Sequence, residues 1–304
     1  MVYEQFAGVF APIPTPFSPR DLTINYEFIH QHLTFLKQKG VSGIILLGTN
    51  GEFPSLSIEE RKNLISWVMK FKDDLKVIVQ VGTSSFVDTI GLCDYATEKG
   101  ADALLIAVPY YYKEISEVGL IDYYFQIFNR VKHPIFLYNM PQVTHIKITD
   151  KVIRGLLSFP NLLGLKESSG EWEETKHYID TFRQLHVFVA NDTLFKKGLE
   201  IGAGGCITAV CNTFPELLVS LFLSWQKKED VSYLQSQLTT YRELILNFPL
   251  QAATKYILHL RGFPITSVRP PLENLTESQK RELERELEKL GFNFQDTQLI
   301  NEDE

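Results

Sequence analysis

Short runs of apolar residues alternate along this chain with longer stretches in which apolar positions return every three or four residues. The runs occupy 9–12, 43–47, 77–81, 103–108, 135–138, 162–166, 187–190 and 205–209. Each is mostly apolar rather than alternating, which predicts strands covered on both faces, as in a parallel sheet. Between the first two, Phe28, His32, Phe35, Leu36 and Lys39 recur at helical steps and predict a helix over 26–39. Ser57 followed by Ile58-Glu59-Glu60 has the form of a capping box, opening a helix that continues through Trp67 to Phe71. Thr149, Ser169 and Asp192 stand in similar capping places before later helices.

Eight such units in about 210 residues match a closed α/β architecture, the (β/α)8 TIM barrel, better than an open doubly wound sheet. The expected organisation is a barrel over 1–225 and a C-terminal helical extension over 226–304 packed on it, because no low-complexity linker separates the two.

Composition narrows the possible partners. Of the 304 residues 44% are hydrophobic, enough for a large core, and the formal net charge is -7 with Lys and Arg dispersed among acids. That distribution gives no footprint for a nucleic-acid backbone. Neither a leader pattern at Met1-Val2-Tyr3-Glu4-Gln5-Phe6 nor a run long enough to span a bilayer is present, so no membrane partner and a cytoplasmic location are expected. Cys93, Cys206 and Cys211 are too few for a disulfide framework and lack zinc spacing; they read as small buried residues in a reducing compartment.

In such a barrel the reactive side chains stand at the C-terminal ends of the strands. Those ends carry Gly48-Thr49-Asn50-Gly51-Glu52, Pro109-Tyr110-Tyr111-Tyr112-Lys113, Tyr138-Asn139-Met140-Pro141 and Lys166-Glu167-Ser168-Ser169-Gly170. Lys166 is the most informative, since it follows a strand expected to be buried on both sides. Burial disfavours the ammonium form and leaves a free amine able to attack a carbonyl. The bland alternative is that Lys166 snorkels to solvent or pairs with Glu167 or Glu171. Tyr138 supplies a proton carrier of the kind Schiff-base chemistry needs, or else packs as an amphipathic strand-end residue. The two glycines of Gly48-Thr49-Asn50-Gly51 let the backbone turn sharply and offer N–H groups to a carboxylate, though the segment also reads as a plain turn. No metal is expected, because His30 and His32 point different ways on their helix and the other histidines are scattered. Gly202-Ala203-Gly204-Gly205 precedes a strand and reads as a tight connection, not a dinucleotide loop.

Taken with Pro14-Thr15-Pro16-Phe17, Gly100-Ala101-Asp102-Ala103 and Arg269-Pro270-Pro271-Leu272, these segments resemble, almost end to end, the pyruvate-dependent aldolase superfamily. That superfamily contains N-acetylneuraminate lyase, dihydrodipicolinate synthase and the 2-keto-3-deoxy sugar-acid aldolases. The resemblance implies that Lys166 is the Schiff-base lysine, Tyr138 the proton relay, and Thr49 with Asn50 and Gly48 the carboxylate-binding turn. It implies that Tyr111 is lent across a subunit interface and that Ile207 faces the bound 2-oxo acid with its backbone carbonyl. It further implies a lyase whose only cofactor-like group is its own lysine, acting on a small 2-oxo acid and an aldehyde as a homodimer or homotetramer.

The departures from the family pattern bear on the substrate. Where dihydrodipicolinate synthases usually place an arginine after the tyrosine motif, this chain has Val143, so a carboxylated aldehyde loses a bidentate partner. The segment Tyr138 to Thr144 is similar to some 2-keto-3-deoxygluconate aldolases, and Gly48 to Pro54 to 4-hydroxy-2-oxoglutarate aldolases. Asn191, Asp192 and Thr193 are placed to bind sugar hydroxyls, but Ala190 and Ala209 replace a glycine and a serine and lower the weight of a sialic-acid substrate. The leading expectation is a lyase for a 2-keto-3-deoxy sugar acid or short 4-hydroxy-2-oxo acid. Dihydrodipicolinate synthase is second, and a catalytically silent 2-oxo-acid-binding barrel a distant third.

Overall fold

The computed structural model describes residues 4–292. The first three residues and the last twelve of the expected extension lie outside that range. Eight parallel strands close into a barrel in sequence order: β1 (Gly8–Pro12), β2 (Gly43–Leu46), β3 (Lys76–Gln80), β4 (Ala103–Ala107), β5 (Ile135–Asn139), β6 (Leu162–Glu167), β7 (His186–Val189) and β8 (Gly205–Ile207). The ring is completed by β1 pairing with both β2 and β8.

Every predicted strand is present, with ends shifted by one or two residues. Leu47, read as strand, adopts φ 62 and leaves β2 one residue early. Such a backbone is costly for a branched-chain residue and is characteristic of turns held by their surroundings. Strand β8 ends two residues early for a different reason, Ala209 turning right-handed helical ahead of the short helix Val210–Thr213. Strands β5 and β6 instead run one residue further than read, to Asn139 and Glu167.

The helix Tyr26–Gln38 and the capping box of Ser57 with Glu60 form as predicted. Two other caps do not. Glu171, not Ser169, precedes the helix Trp172–Thr181, while the Ser169 hydroxyl accepts from the Glu171 N–H two residues on. Asn191, not Asp192, caps the turn after β7 by accepting from the Thr193 N–H at 3.0 Å. In each case a competing side-chain-to-backbone bond two residues away decides the local geometry. Thr149 does precede the helix Asp150–Leu156, but its hydroxyl bonds Glu117 rather than the helix N-terminus.

Inside the barrel the N-terminal half is filled by aromatic rings. Phe6, Phe136, Phe188 and Phe10 follow one another at centroid spacings of 5.4, 5.3 and 5.2 Å and make a closed floor. Because side chains two apart on a strand share a face, Tyr138 stands directly above Phe136 on β5. Lys166 is its register partner on β6. The floor thus fixes the height at which these two side chains enter the C-terminal mouth. Gly164, two residues before Lys166, is required by packing, since a Cβ there would meet the His186 carbonyl oxygen at 1.8 Å.

After the helix Pro215–Gln226, which packs near β1, come the helices Ser232–Leu246, Leu250–Leu260 and Glu277–Lys289. The first two lie across the strand ends. Gln235 of Ser232–Leu246 donates to the Asp192 carbonyl at 2.9 Å, and Gln251 of Leu250–Leu260 donates to the Thr49 carbonyl at 3.4 Å. Among the described residues no helix is long and apolar enough to cross a membrane.

Candidate active site

A cavity of about 340 Å³ opens at the C-terminal end of the barrel. Its lining brings together Lys166, Tyr138, Thr49, Asn50, Ile207 and Val143 from the sequence-predicted set, with Arg242 and Leu250 contributed by the helices that cross the mouth.

Lys166 is buried, only 4% exposed, and its Nζ lies 4.1 Å from the centre of the Tyr138 ring. No ion pair engages it among the described residues. The next residue, Glu167, accepts hydrogen bonds from the Asn139 amide and the Ser169 N–H, both at 2.6 Å. Burial raises the Glu167 carboxyl above its ordinary range, and those two donors act against the rise. Pairing of Lys166 with Glu167, open in the sequence, is therefore not the arrangement adopted. Adjacent strand residues thus present an amine to the cavity and a carboxylate to the loop.

Burial pushes the Tyr138 phenol up, but the adjacent Lys166 and hydrogen bonding with Lys166 and Thr49 outweigh it and hold the phenol below its ordinary value. Its hydroxyl is 3.1 Å from the Thr49 hydroxyl. The three groups form a chain from amine to phenol to threonine along which protons are able to move. Thr49 sits on a turn fastened from three sides. The Asn50 amide donates to the Pro12 carbonyl at 3.0 Å, the Thr15 hydroxyl to the Gly51 carbonyl at 2.6 Å, and the Gly51 N–H to Gly48 at 3.0 Å. The backbone N–H groups of Thr49 and Asn50 donate to no backbone group among the described residues. Two free donors on a rigid turn suit an anion.

Three predicted residues are placed differently. Gly48 closes the turn with its carbonyl and does not line the cavity. Tyr111 is 74% exposed, packed edge-on against Tyr112 at 5.4 Å, and is not brought to Lys166 within one chain. Asp192, expected to meet sugar hydroxyls, is fully buried and also absent from the lining. It faces Arg242, whose Nε is 3.5 Å from its Oδ2. Burial raises the Asp192 carboxyl above its ordinary range, opposed by Arg242 and Thr208. Asn191, its neighbour, is the residue that reaches the cavity.

Sequence reasoning missed Arg242. It lies on a helix whose pattern marks it as an ordinary polar position, and only docking of that helix over the mouth brings it in. Its presence also corrects an inference from Val143. That side chain is half exposed and lines the cavity, but the mouth it borders is not without a cation.

The remaining shared motifs converge on a structural clamp. Glu52 ends the Thr49 turn and pairs with the buried Lys255 at 2.5 Å, while its other oxygen accepts the Arg269 N–H at 2.9 Å. The Arg269 guanidinium lies 4.2 Å from the Phe17 ring and bonds Glu60 through both terminal nitrogens. The segments Pro14 to Phe17, Gly48 to Glu52 and Arg269 to Leu272 are thus one packing unit beneath the mouth. Cys93, Cys206 and Cys211 are free and buried, and among the described residues no three His, Cys, Asp or Glu are grouped to hold a metal ion.

A closed eight-stranded parallel barrel with a cavity at the C-terminal ends of its strands is the general form of a barrel enzyme. The model of the dihydrodipicolinate synthetase family matches residues 5–290, and the chain belongs to that family. With that membership it is a carbon–carbon lyase. An uncharacterized DapA-like lyase of Chloroflexus aurantiacus is 34% identical over 93% of this chain and 96% of its own length. The 4-hydroxy-tetrahydrodipicolinate synthase of Methanopyrus kandleri is 30% identical over 95% and 97%. Among solved structures, YagE, a prophage protein from E. coli K12 in complex with pyruvate, superposes with a TM-score of 0.90 at 26% identity, covering 95% of this chain and 99% of that one.

Proposed function

We propose that this lyase works through a Schiff base between Lys166 and the keto carbon of a 2-oxo acid such as pyruvate. Its substrate is a 2-keto-3-deoxy sugar acid or a short 4-hydroxy-2-oxo acid. The observation that carries the reading is Lys166 itself, a buried amine with no counter-ion among the described residues and two hydroxyl groups in series beside it.

The free amine adds to C2 of the 2-oxo acid, and the carbinolamine loses water with a proton delivered through Tyr138, leaving an iminium. The substrate carboxylate lies against the Thr49 and Asn50 N–H groups, which fixes C2 toward the lysine. In the cleavage direction the 4-hydroxyl gives up its proton and the C3–C4 bonding pair moves into the iminium, forming an enamine and releasing an aldehyde. Protonation at C3 and hydrolysis then return pyruvate and the amine. Tyr138 and Thr49 are the groups placed to carry these protons, and no cofactor besides the lysine is called on.

Tyr111 enters this reading as a residue lent to the site of a second copy in a homodimer or homotetramer. Condensation of pyruvate with aspartate semialdehyde is the second reading. Relatives bearing the synthase name and Arg242 at the mouth favour it, and the apolar Val143 opposes it. Treatment with pyruvate and borohydride tests the shared chemistry. Intact-mass and peptide analysis is expected to find reduced pyruvate on Lys166, and an active protein with no adduct there would refute the Schiff-base reading.

A further inference from the structure

The Thr49 turn and Lys166 account for the 2-oxo-acid end of the cavity, but the wall contributed by the helix Ser232–Leu246 carries a cation with no assigned part. Arg242 is largely buried, with 18% of its side chain exposed, and lines the cavity beside Asn191, Thr208 and Leu250. Its Nε is sealed from solvent, so the surface it gives the cavity belongs to the rest of the side chain. Behind it stands Asp192, 3.5 Å from the Nε and fully buried.

An arginine retained only to neutralise Asp192 would satisfy that carboxylate with short hydrogen bonds. Here both Asp192 side-chain oxygens, the Arg242 Nε and the Thr208 hydroxyl are buried without a hydrogen-bond partner. The terminal guanidinium nitrogens likewise have none among the described residues. The guanidinium is therefore not committed to Asp192 by short hydrogen bonds, and its terminal nitrogens remain available to the cavity that Arg242 lines. A planar fork of donors, fixed from behind by one carboxylate, is suited to an anion, which it is able to grip through two parallel charge-assisted bonds.

We infer that Arg242 binds an anionic group on the aldehyde half of the substrate, so that the aldehyde made or consumed is an acid rather than a neutral polyol. This inference rests on the Schiff-base reading and narrows its substrate class to 2-oxo acids bearing a second anion, a carboxylate or a phosphate, beyond the bond that breaks. Asp192 is a positioning residue that holds the guanidinium and does not touch substrate. The guanidinium absent at Val143 is thereby replaced from a different part of the chain.

The test is condensation of pyruvate with four aldehydes, namely glyoxylate, succinic semialdehyde, glyceraldehyde 3-phosphate and glyceraldehyde, comparing kcat/KM in wild type, Arg242→Leu and Arg242→Lys. Wild type is expected to favour at least one anionic aldehyde over glyceraldehyde. In Arg242→Leu the anionic-to-neutral ratio should fall about tenfold to a hundredfold, the effect of one charge-assisted contact, with Arg242→Lys between. Whichever acid leads tells a carboxylate from a phosphate. A wild-type preference for glyceraldehyde, or a ratio that moves less than about threefold in Arg242→Leu, overturns the inference. The pyruvate–borohydride adduct is measured in the same samples. Its presence in Arg242→Leu shows an assembled pyruvate end, so an unmoved ratio there counts against the anion site. Its absence from wild type counts against the Schiff-base reading instead.

Discussion

Among the described residues two lysines are buried, and their surroundings differ sharply. Lys166 and Lys255 are 4% and 1% exposed, and each ammonium nitrogen lies over an aromatic ring, Tyr138 at 4.1 Å and Phe17 at 4.5 Å. Lys255 bonds the Glu52 carboxylate at 2.5 Å and the Ser267 carbonyl at 2.6 Å. Burial lowers it to about 8 in spite of the opposing pull of Glu52. Lys166 has a phenol and a threonine hydroxyl in series and a carboxylate neighbour in sequence that is occupied elsewhere. The low value at Lys255 thus belongs to an amine that is held in an ion pair. In the proposed mechanism the reactive amine is the one with two hydroxyl groups beside it and no counter-ion, and Lys255 is a rivet between the Thr49 turn and the C-terminal helices.

The sharpest way to break this contrast is substitution of the lysine itself. Lys166→Ala should abolish detectable turnover and the borohydride adduct, and in wild type no adduct should form on Lys255. Peptide mapping that found pyruvate on Lys255 would remove the distinction. Tyr138→Phe comes next, with an expected loss on the order of 10²–10⁴ in kcat while the adduct still forms, because the ring packing survives and only the proton carrier is lost. A variant turning over at the wild-type rate would reduce Tyr138 to packing.

The rivet is tested by stability. Glu52→Gln alone leaves the Lys255 charge without its partner and should cost about 3–5 kcal/mol in denaturant unfolding, whereas adding Lys255→Met should recover a good part of that loss. If both variants unfolded like wild type, the pair would carry no weight. The smallest effect concerns buried bases without any counter-ion. Burial brings His32 and His186 down to about 4, against weaker upward pulls from the carbonyls of Asn212 and Phe6, respectively. Above pH 6.5 the rings are neutral in both folded and unfolded chains. Between pH 6.5 and about 4 the unfolded chain takes up protons that the folded chain refuses, so stability falls as pH falls. Each ring should remove about 2 kcal/mol by pH 5, read as a shift in unfolding midpoint relative to pH 7.5. His186→Gln should flatten about half of that slope.

What was legible in the sequence depended on how locally each feature is encoded. The strands were readable because burial on both faces writes a contiguous apolar run, and Lys166 because it breaks such a run at its end. The turn at Leu47 was not, since a positive φ in a leucine leaves no compositional trace. Ser169 and Asp192 carried the right side chains for caps, but Glu171 and Asn191 won through bonds that depend on the path of the loop. The pairing of Glu52 with Lys255 spans 203 residues, and no periodicity connects its halves. Arg242 sits between Tyr241 and Glu243 in a helix that reads as solvent-facing, and becomes a wall of the cavity only when that helix crosses the barrel.

The crossing helices have a consequence for how the enzyme changes over time. On the proposed mechanism the pyruvate end is written into strands locked in a closed ring, where a substitution disturbs neighbours on both sides. The far wall is supplied by Ser232–Leu246 and Leu250–Leu260, two helices joined by the short link 247–249 and resting on the mouth from outside. Mutations there are free to alter which partner molecule is accepted without touching the bond-making lysine. A library restricted to 238–251 is accordingly the economical place to redirect this catalyst toward a new aldehyde, and a lineage diversifying its substrates would be expected to accumulate its differences in the same stretch.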